Sequence, residues 1–317
     1  MNKKALVAIG GNSLLPSGQS AELPQQWDTV RETCRHLADM VQDGWQLVIT
    51  HGNGPQVGFN LLRSEIAAET IYPLSLDLIV AHTQGSIGYM LQQCLSNELR
   101  SRGVRIPVVS VVTQTLVDKD DPAFAAPSKP IGRFMGEAEA AERAAEGWTV
   151  REDAGRGWRR VVASPEPQAI IEEEAIERLM LSGCIVIAGG GGGIPVVANR
   201  KGELRELSGV WGVVDKDRAG GLLARRLGMN LFLISTAVPQ VYIHFRTPQQ
   251  QSLAEVTAAE ARRYLAEGHF AKGSMAPKME AVALFVEQTK GRALITTPND
   301  IGRALRGQTG TWIRPAD

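Results

Sequence analysis

Along the chain, short and wholly apolar runs alternate with longer stretches in which apolar residues recur every three or four positions. Six runs read as buried strands: ALVAI (5–9), LVIT (47–50), IPVVSVV (106–112), CIVIA (184–188), LFLIS (231–235) and ALITT (293–297). Between the first two, Trp27, Val30, Cys34, Leu37 and Val41 return at helical spacing, which predicts a helix that Gly44 stops. Apolar strands separated by amphipathic helices are the signature of a parallel sheet covered by helices, so the predicted class is α/β.

Residues 117–168 break this rhythm. They contain many prolines, one short alanine-rich helix, and a predicted hairpin in which WTVRED (148–153) and WRRVVAS (158–164) flank AGRG. The stretch is too long for an ordinary connection and too patterned for disorder. It is expected to be an inserted lid subdomain that closes over the carboxyl edge of the sheet.

The loops after the strands carry the first functional signal. ALVAI leads into Gly10, Gly11 and Asn12, LVIT into HGNGP, CIVIA into five glycines at 189–193, and LFLIS into TAVP. In a parallel sheet these carboxyl ends share one edge, where open α/β folds bind ligands. Pro55 suits the first turn of a helix, which puts Gly52, Asn53 and Gly54 just before a helix N-terminus, where free N–H groups and the dipole attract anions. One such loop alone reads as a plain turn; several on one edge read as an anion site.

Composition narrows the partners. The 317 residues, 44% hydrophobic and 21% charged, are those of a soluble globular protein. Lysine plus arginine equals aspartate plus glutamate at 34 each, so no global field draws nucleic acid. Cys34, Cys94 and Cys184 form no C-x-x-C pair and indicate neither zinc nor a disulfide framework. The first apolar run ends at Gly10, too short for a signal-peptide core, and no stretch approaches the roughly 18 apolar residues of a membrane span; a cytoplasmic location without membrane partners is expected.

Familiar catalytic strings are missing: there is no P-loop, no G-x-G-x-x-G, no H-R-D or D-F-G, no G-x-S-x-G and no H-E-x-x-H. Positive charge for an anion must then come from lysines in distinctive settings. Lys129 lies in PSKPIG, Lys216 in VVDKDRA and Lys278 in GSMAPKMEA. Phosphoryl transfer needs charge neutralised on the moving group and the leaving oxygen, which lysines and magnesium supply. Lys216 sits between Asp215 and Asp217 at a predicted helix start, where a carboxylate holds the lysines in place or helps bind the metal. His51, beside an anion loop, reads as structural or as a secondary anion contact, and the other histidines are scattered.

Together, GGN (10–12), HGNGPQVG (51–58), TQGSIGY (83–89), KPIG (129–132), EDAGRGWRRVVASP (152–165), GGGGIPVV (190–197), DKD (215–217) and GHFAKGSMAPKMEA (268–281) resemble the bacterial carbamate kinases, in colinear order over nearly the whole chain. The resemblance implies the amino-acid-kinase fold, a three-layer αβα sandwich with an open, mainly parallel sheet, a protruding lid and a homodimer. It implies an acyl-substrate half over residues 1–208, including the lid at 117–168, and a nucleotide half over 209–317. The implied reaction is phosphoryl transfer between ATP and carbamate, with magnesium on the nucleotide, run in the ATP-forming direction in catabolism. By the same resemblance Lys129, Lys216, Lys278 and Asp217 are the catalytic set, with Asp217 the candidate metal contact through the magnesium–nucleotide complex. Gly10, Gly11, Asn12, Gly52, Asn53 and Gly54 hold carbamate and the moving phosphoryl group. Gly190, Gly191, Gly192, Lys216, Ser235, Thr236, Ala237, Met275 and Lys278 contact the nucleotide. The chain departs from the family after LFLIS, where L-T-G-V-D-Y-V is usual and Ala237, Pro239 and Gln240 stand instead, and at Arg133 of the lid. The alternatives are a catalytically weak homologue that senses nucleotide or carbamoyl phosphate, and a kinase for another small carboxylate.

Overall fold

A computed structural model describes residues 3–11, 23–153, 157–201, 204–271 and 273–316. In chain order its elements begin with β1 (Lys3–Ile9), α1 (Leu23–Gln42), β2 (Trp45–His51), α2 (Gln56–Ile66), α3 (Leu76–Ser101), β3 (Val108–Ser110) and β4 (Gln114–Leu116). Next come β5 (Lys129–Met135), α4 (Glu137–Ala145), β6 (Val150–Glu152), β7 (Trp158–Val162), β8 (Ala169–Ile170), α5 (Glu173–Leu181), β9 (Ile185–Ile187), β10 (Ile194–Lys201) and β11 (Leu204–Gly209). The last third holds α6 (Lys216–Arg226), β12 (Leu231–Ser235), β13 (Val241–Ile243), β14 (Gln251–Leu253), β15 (Glu255–Thr257), α7 (Ala258–Ala266), α8 (Met275–Thr289), β16 (Arg292–Thr296), α9 (Ile301–Leu305) and β17 (Thr311–Arg314).

Eight strands form one sheet in the order β15–β17–β16–β12–β1–β2–β9–β3. Its pairs are parallel except β16 with β17. Strand alternation divides the core between the two faces. Leu6 and Ala8 of β1 join Phe232 and Ile234 of β12 and the apolar sides of α5, α6 and α8. Ala5, Val7 and Ile9 join Leu231, Leu233 and residues of α1 and α3. The result is helices on both faces of a mainly parallel sheet, with β1 central and the carboxyl ends of β1, β2, β9 and β12 along one edge.

The predicted strand LFLIS coincides with β12, and the predicted helix lies within α1, which ends just before Gly44 at φ +84°. IPVVSVV shortens to the three residues of β3. After Ser110 the chain gives one more bond to this sheet, Val111 N to Ile187 O, then leaves it to form β4 of a smaller sheet ordered β11–β10–β4–β8. The inserted segment contains the three-stranded antiparallel sheet β5–β7–β6 and helix α4, so the predicted hairpin is the β6–β7 pair. Three of its four turn residues, 154–156, lie outside the described residues. The inserted sheet sits close on α2, where a Cβ added to Gly58 would fall 2.4 Å from the Cα of Gly132.

Candidate active site

A cleft of about 350 Å³ opens along the carboxyl edge, between the strand-end loops, the N-terminus of α6, the start of α8 and strand β5 of the insertion. Gly10 and Gly11 follow β1, Gly52, Asn53 and Gly54 follow β2, and Ser235, Thr236 and Ala237 end β12; all line it. Lys129, Lys216, Lys278 and Asp217 line it as well, so side chains separated by up to about 150 positions meet in one place. Asn12 lies outside the described residues.

Two carboxylates organise the three lysines. Asp215 is the N-cap of α6: its Oδ1 accepts from the backbone N–H of Asp217 at 2.9 Å and of Arg218 at 3.3 Å, while its Oδ2 accepts from Lys129 Nζ at 2.6 Å. Asp217, only 2% exposed, accepts from Lys216 through Oδ1 and from Lys278 Nζ through Oδ2 at 2.7 Å. Three ammonium groups against two carboxylates leave one positive charge facing the cleft. Burial alone would raise the Asp215 carboxyl, but the Lys129 ammonium beside it, backed by Lys216 and Lys278, holds it far below the usual carboxylate range. Burial would likewise raise Asp217, yet Lys216 and Lys278 bring it below its ordinary value. Burial lowers Lys216 despite Asp217 and with help from Lys278; burial pulls Lys278 down too, but Asp217 and Asp215 together raise it.

The glycine loops carry no charged side chain of their own, and the Lys216 stem packs against Gly52, where a Cβ would lie 3.4 Å from its Cδ. His51 is buried, and desolvation, with Lys216 adding repulsion against the opposing bond to Gly52, lowers it from 6.5 to about 4. Its Nδ1 donates to the Gly52 carbonyl at 2.8 Å, so the ring is neutral near pH 7. The five glycines form a buried turn gripped by polar side chains. Thr50 donates to Gly189 O at 2.8 Å, Thr113 accepts from Gly189 N at 2.9 Å, Gln84 donates to Gly190 O at 2.9 Å, and Thr115 donates to Gly192 O at 2.8 Å. Four of the five have positive φ; the fifth, Gly190, would place a Cβ 2.4 Å from the His51 ring. Gly190, Gly191 and Gly192 are all buried, and of the three Gly191 lines the cleft while Gly190 and Gly192 do not. Met275, at the start of α8, packs against the core and is also absent from the lining.

The structure adds residues that sequence reasoning missed. Arg159 of β7 lines the cleft, donating to Gly132 O at 3.0 Å and pairing with Asp153 at 3.3 Å, while its buried Nε has no hydrogen-bond partner among the described residues. A signal existed: adjacent arginines on a strand point to opposite faces, and Arg160 turns the other way to Glu65 at 2.7 Å. Arg133, which had no assignable partner in the sequence, forks onto Glu139 of α4. Of the departures after β12, Pro239 is exposed and Gln240 donates to Gly310 O at 3.1 Å. Among the described residues no cluster of three or more His, Cys, Asp or Glu is arranged to hold a metal.

Residues 3–297 match the model of the amino acid kinase family. The chain is 48% identical over 316 residues to the carbamate kinase of Thermococcus kodakarensis, across 98% of this chain and 99% of that protein. It is 46% identical to the carbamate kinase-like protein YahI of Escherichia coli, across 99% of each. Among solved structures, the carbamate kinase from Giardia lamblia bound to AMP-PNP superposes with a TM-score of 0.90 at 38% identity, across 99% of both chains. With the fold, the glycine loops and the lysine–aspartate cluster in place, the chain belongs to the amino acid kinase family and, within it, to the carbamate kinases.

Proposed function

We propose that the protein catalyses reversible phosphoryl transfer between ATP and carbamate, giving ADP and carbamoyl phosphate. The observation that carries this reading is the convergence of Lys129, Lys216 and Lys278 on two buried carboxylates in a cleft that also takes in the strand-end glycine loops. A carbamate oxygen attacks the γ-phosphorus as the bond to the β–γ bridging oxygen breaks, and ADP leaves. Carbamate is already an anionic nucleophile, so no general base is needed, and His51 is buried, neutral and engaged with Gly52. Catalysis then rests on in-line positioning and charge neutralisation.

In this reading Lys129 reaches the transferring group from the lid, and Lys216 and Lys278 neutralise the nucleotide phosphates. Asp217 sets the spacing of the two lysines. Gly10, Gly11, Gly52, Asn53 and Gly54 hold carbamate, and the segment from Ser235 to Ala237 lies on the nucleotide side. Residues 1–208 form the acyl half with the lid at 117–168, and 209–317 the nucleotide half. Both Asp217 oxygens already accept from lysines, so the residues suit magnesium arriving as its nucleotide complex rather than a metal caged by protein. When bound, that ion offsets charge on the β- and γ-phosphates.

We assign the protein to the cytoplasm and to a homodimer. Among the described residues no helix is long and apolar enough to cross a membrane, and Ile66, Ile71, Tyr72 and Leu78 expose apolar surface around α2 and the start of α3. Retention of all three lysines and Asp217 argues against a merely sensing homologue. The test is to mix protein, ADP, magnesium and carbamoyl phosphate and measure ATP. ATP above the spontaneous-breakdown control is expected; none, while carbamoyl phosphate or ADP still raises the melting temperature, would replace the enzyme by a binding protein.

A further inference from the structure

Two adjacent polar residues in the middle of α3, Thr83 and Gln84, are 0% and 3% exposed, where an amphipathic helix would bury apolar side chains. Burying them unpaired would be unfavourable, and both are paired, each with a loop of the cleft. Gln84 accepts from Thr113 N at 2.8 Å and donates at 2.9 Å to both Thr113 O and Gly190 O, fixing the five-glycine turn. The Thr83 hydroxyl lies 2.8 Å from Val80 O of its own helix and 2.6 Å from the Asn53 side-chain amide, a group that both donates and accepts.

That contact ties the Asn53 amide to α3. One end of the amide is engaged at the helix, on a residue that also lines the cleft. On its other side the amide fills the space that a side chain at Gly191 would need, a Cβ there falling only 2.0 Å from Oδ1 and 2.7 Å from Nδ2.

We propose that Thr83 is a positioning residue for the acyl substrate: through its hydroxyl it holds the Asn53 amide in place to meet the carbamate or carbamoyl phosphate oxygens. The proposal rests on the carbamate-kinase reading of the cleft and deepens it on the acyl side. Thr83 touches no reacting atom, and its effect falls on the acyl substrate rather than on the nucleotide.

The test compares Thr83→Val, which keeps the shape and removes the hydroxyl, with Thr83→Ser, which restores it. In the ATP-forming assay Thr83→Val should raise the KM for carbamoyl phosphate roughly tenfold while the KM for ADP stays within about twofold, and Thr83→Ser should return to within about twofold of the parent. In an Asn53→Ala background, Thr83→Val should add nothing further. Equal rises in both KM values, an unchanged KM for carbamoyl phosphate, or a Thr83→Ser variant as impaired as Thr83→Val would each overturn the proposal. Thr83→Ala, which adds no volume, replaces Thr83→Val if the latter fails to fold. If the parent protein makes no ATP, the kinase reading falls first, and calorimetric titration of the same variants with carbamoyl phosphate decides the positioning role. Weaker binding by Thr83→Val alone then supports it, unchanged binding overturns it, and no binding by the parent overturns both.

Discussion

Gly10, Gly11, Gly52, Asn53, Gly54 and Gly191 line the cleft from loops without a charged side chain, while Lys129, Lys216 and Lys278, each held by Asp215 or Asp217, bring charge to it together with Arg159. The neutral loops recognise by shape and are held from behind, Asn53 by Thr83 and the five-glycine turn by Thr50, Gln84, Thr113 and Thr115. The charged part works by field, and its geometry is set by ion pairs that would be weak on a surface but are strengthened by burial. The two parts should therefore fail in different ways, one by losing fit and stability, the other by losing rate.

The largest separation is expected from Lys216→Ala. Removing a phosphate-facing ammonium group should lower kcat by roughly 10²–10³-fold or more, while the variant remains folded by circular dichroism and thermal melting. Near-normal turnover would refute the charged part as the seat of rate acceleration. Next is a contrast between two glycines. Gly192 has φ +91° and would place a Cβ 2.3 Å from Val214 O, whereas Gly11 has no described atom within 4 Å of such a Cβ. Gly192→Ala should therefore cost about 3 kcal/mol of stability in urea denaturation. Gly11→Ala should leave stability nearly unchanged and raise the KM for carbamoyl phosphate instead. Equal destabilisation by both would erase the distinction between glycines needed by the fold and those needed by a ligand.

The smallest effect concerns protons. His51 is lowered from 6.5 to about 4 in the fold, so as pH falls below 6.5 the unfolded chain takes up a proton that the folded one refuses, and stability drops until the pH passes about 4. At pH 4.5 this should amount to roughly 2–3 kcal/mol relative to pH 7. His51→Gln, which does not titrate, should lack this portion of the acid loss in denaturant titrations at the two pH values. Asp215 and Asp217, both held low, contribute stability that is complete above about pH 4 and is lost only at more acid pH, so their loss is separable from that of His51.

Much of this division was legible in the chain. The central strands are short apolar runs because they are covered on both faces, and Lys216 between two aspartates at a helix start announced the charged cluster. The smaller sheet was not legible, because strands such as β4 and β8, of three and two residues, are too short for alternation to register. Thr83 and Gln84 were hidden for a different reason. Polar residues inside a helix ordinarily face water, and only the packing of α3 against two distant loops turns them inward. Arg159 was hidden among neighbouring arginines until the strand assigned it a side.

The five-glycine turn carries a consequence for how such strings are used as signatures. An alanine at Gly190, Gly191, Gly192 or Gly193 would collide with His51, Asn53, Val214 or Thr115, which are parts of the protein itself, before any ligand enters. A relative that abandoned carbamate for another substrate, yet kept this backbone, would have to keep the same glycines. The string is therefore a marker of ancestry and architecture, and the assignment of chemistry to newly sequenced relatives belongs to the three lysines and the two aspartates that hold them.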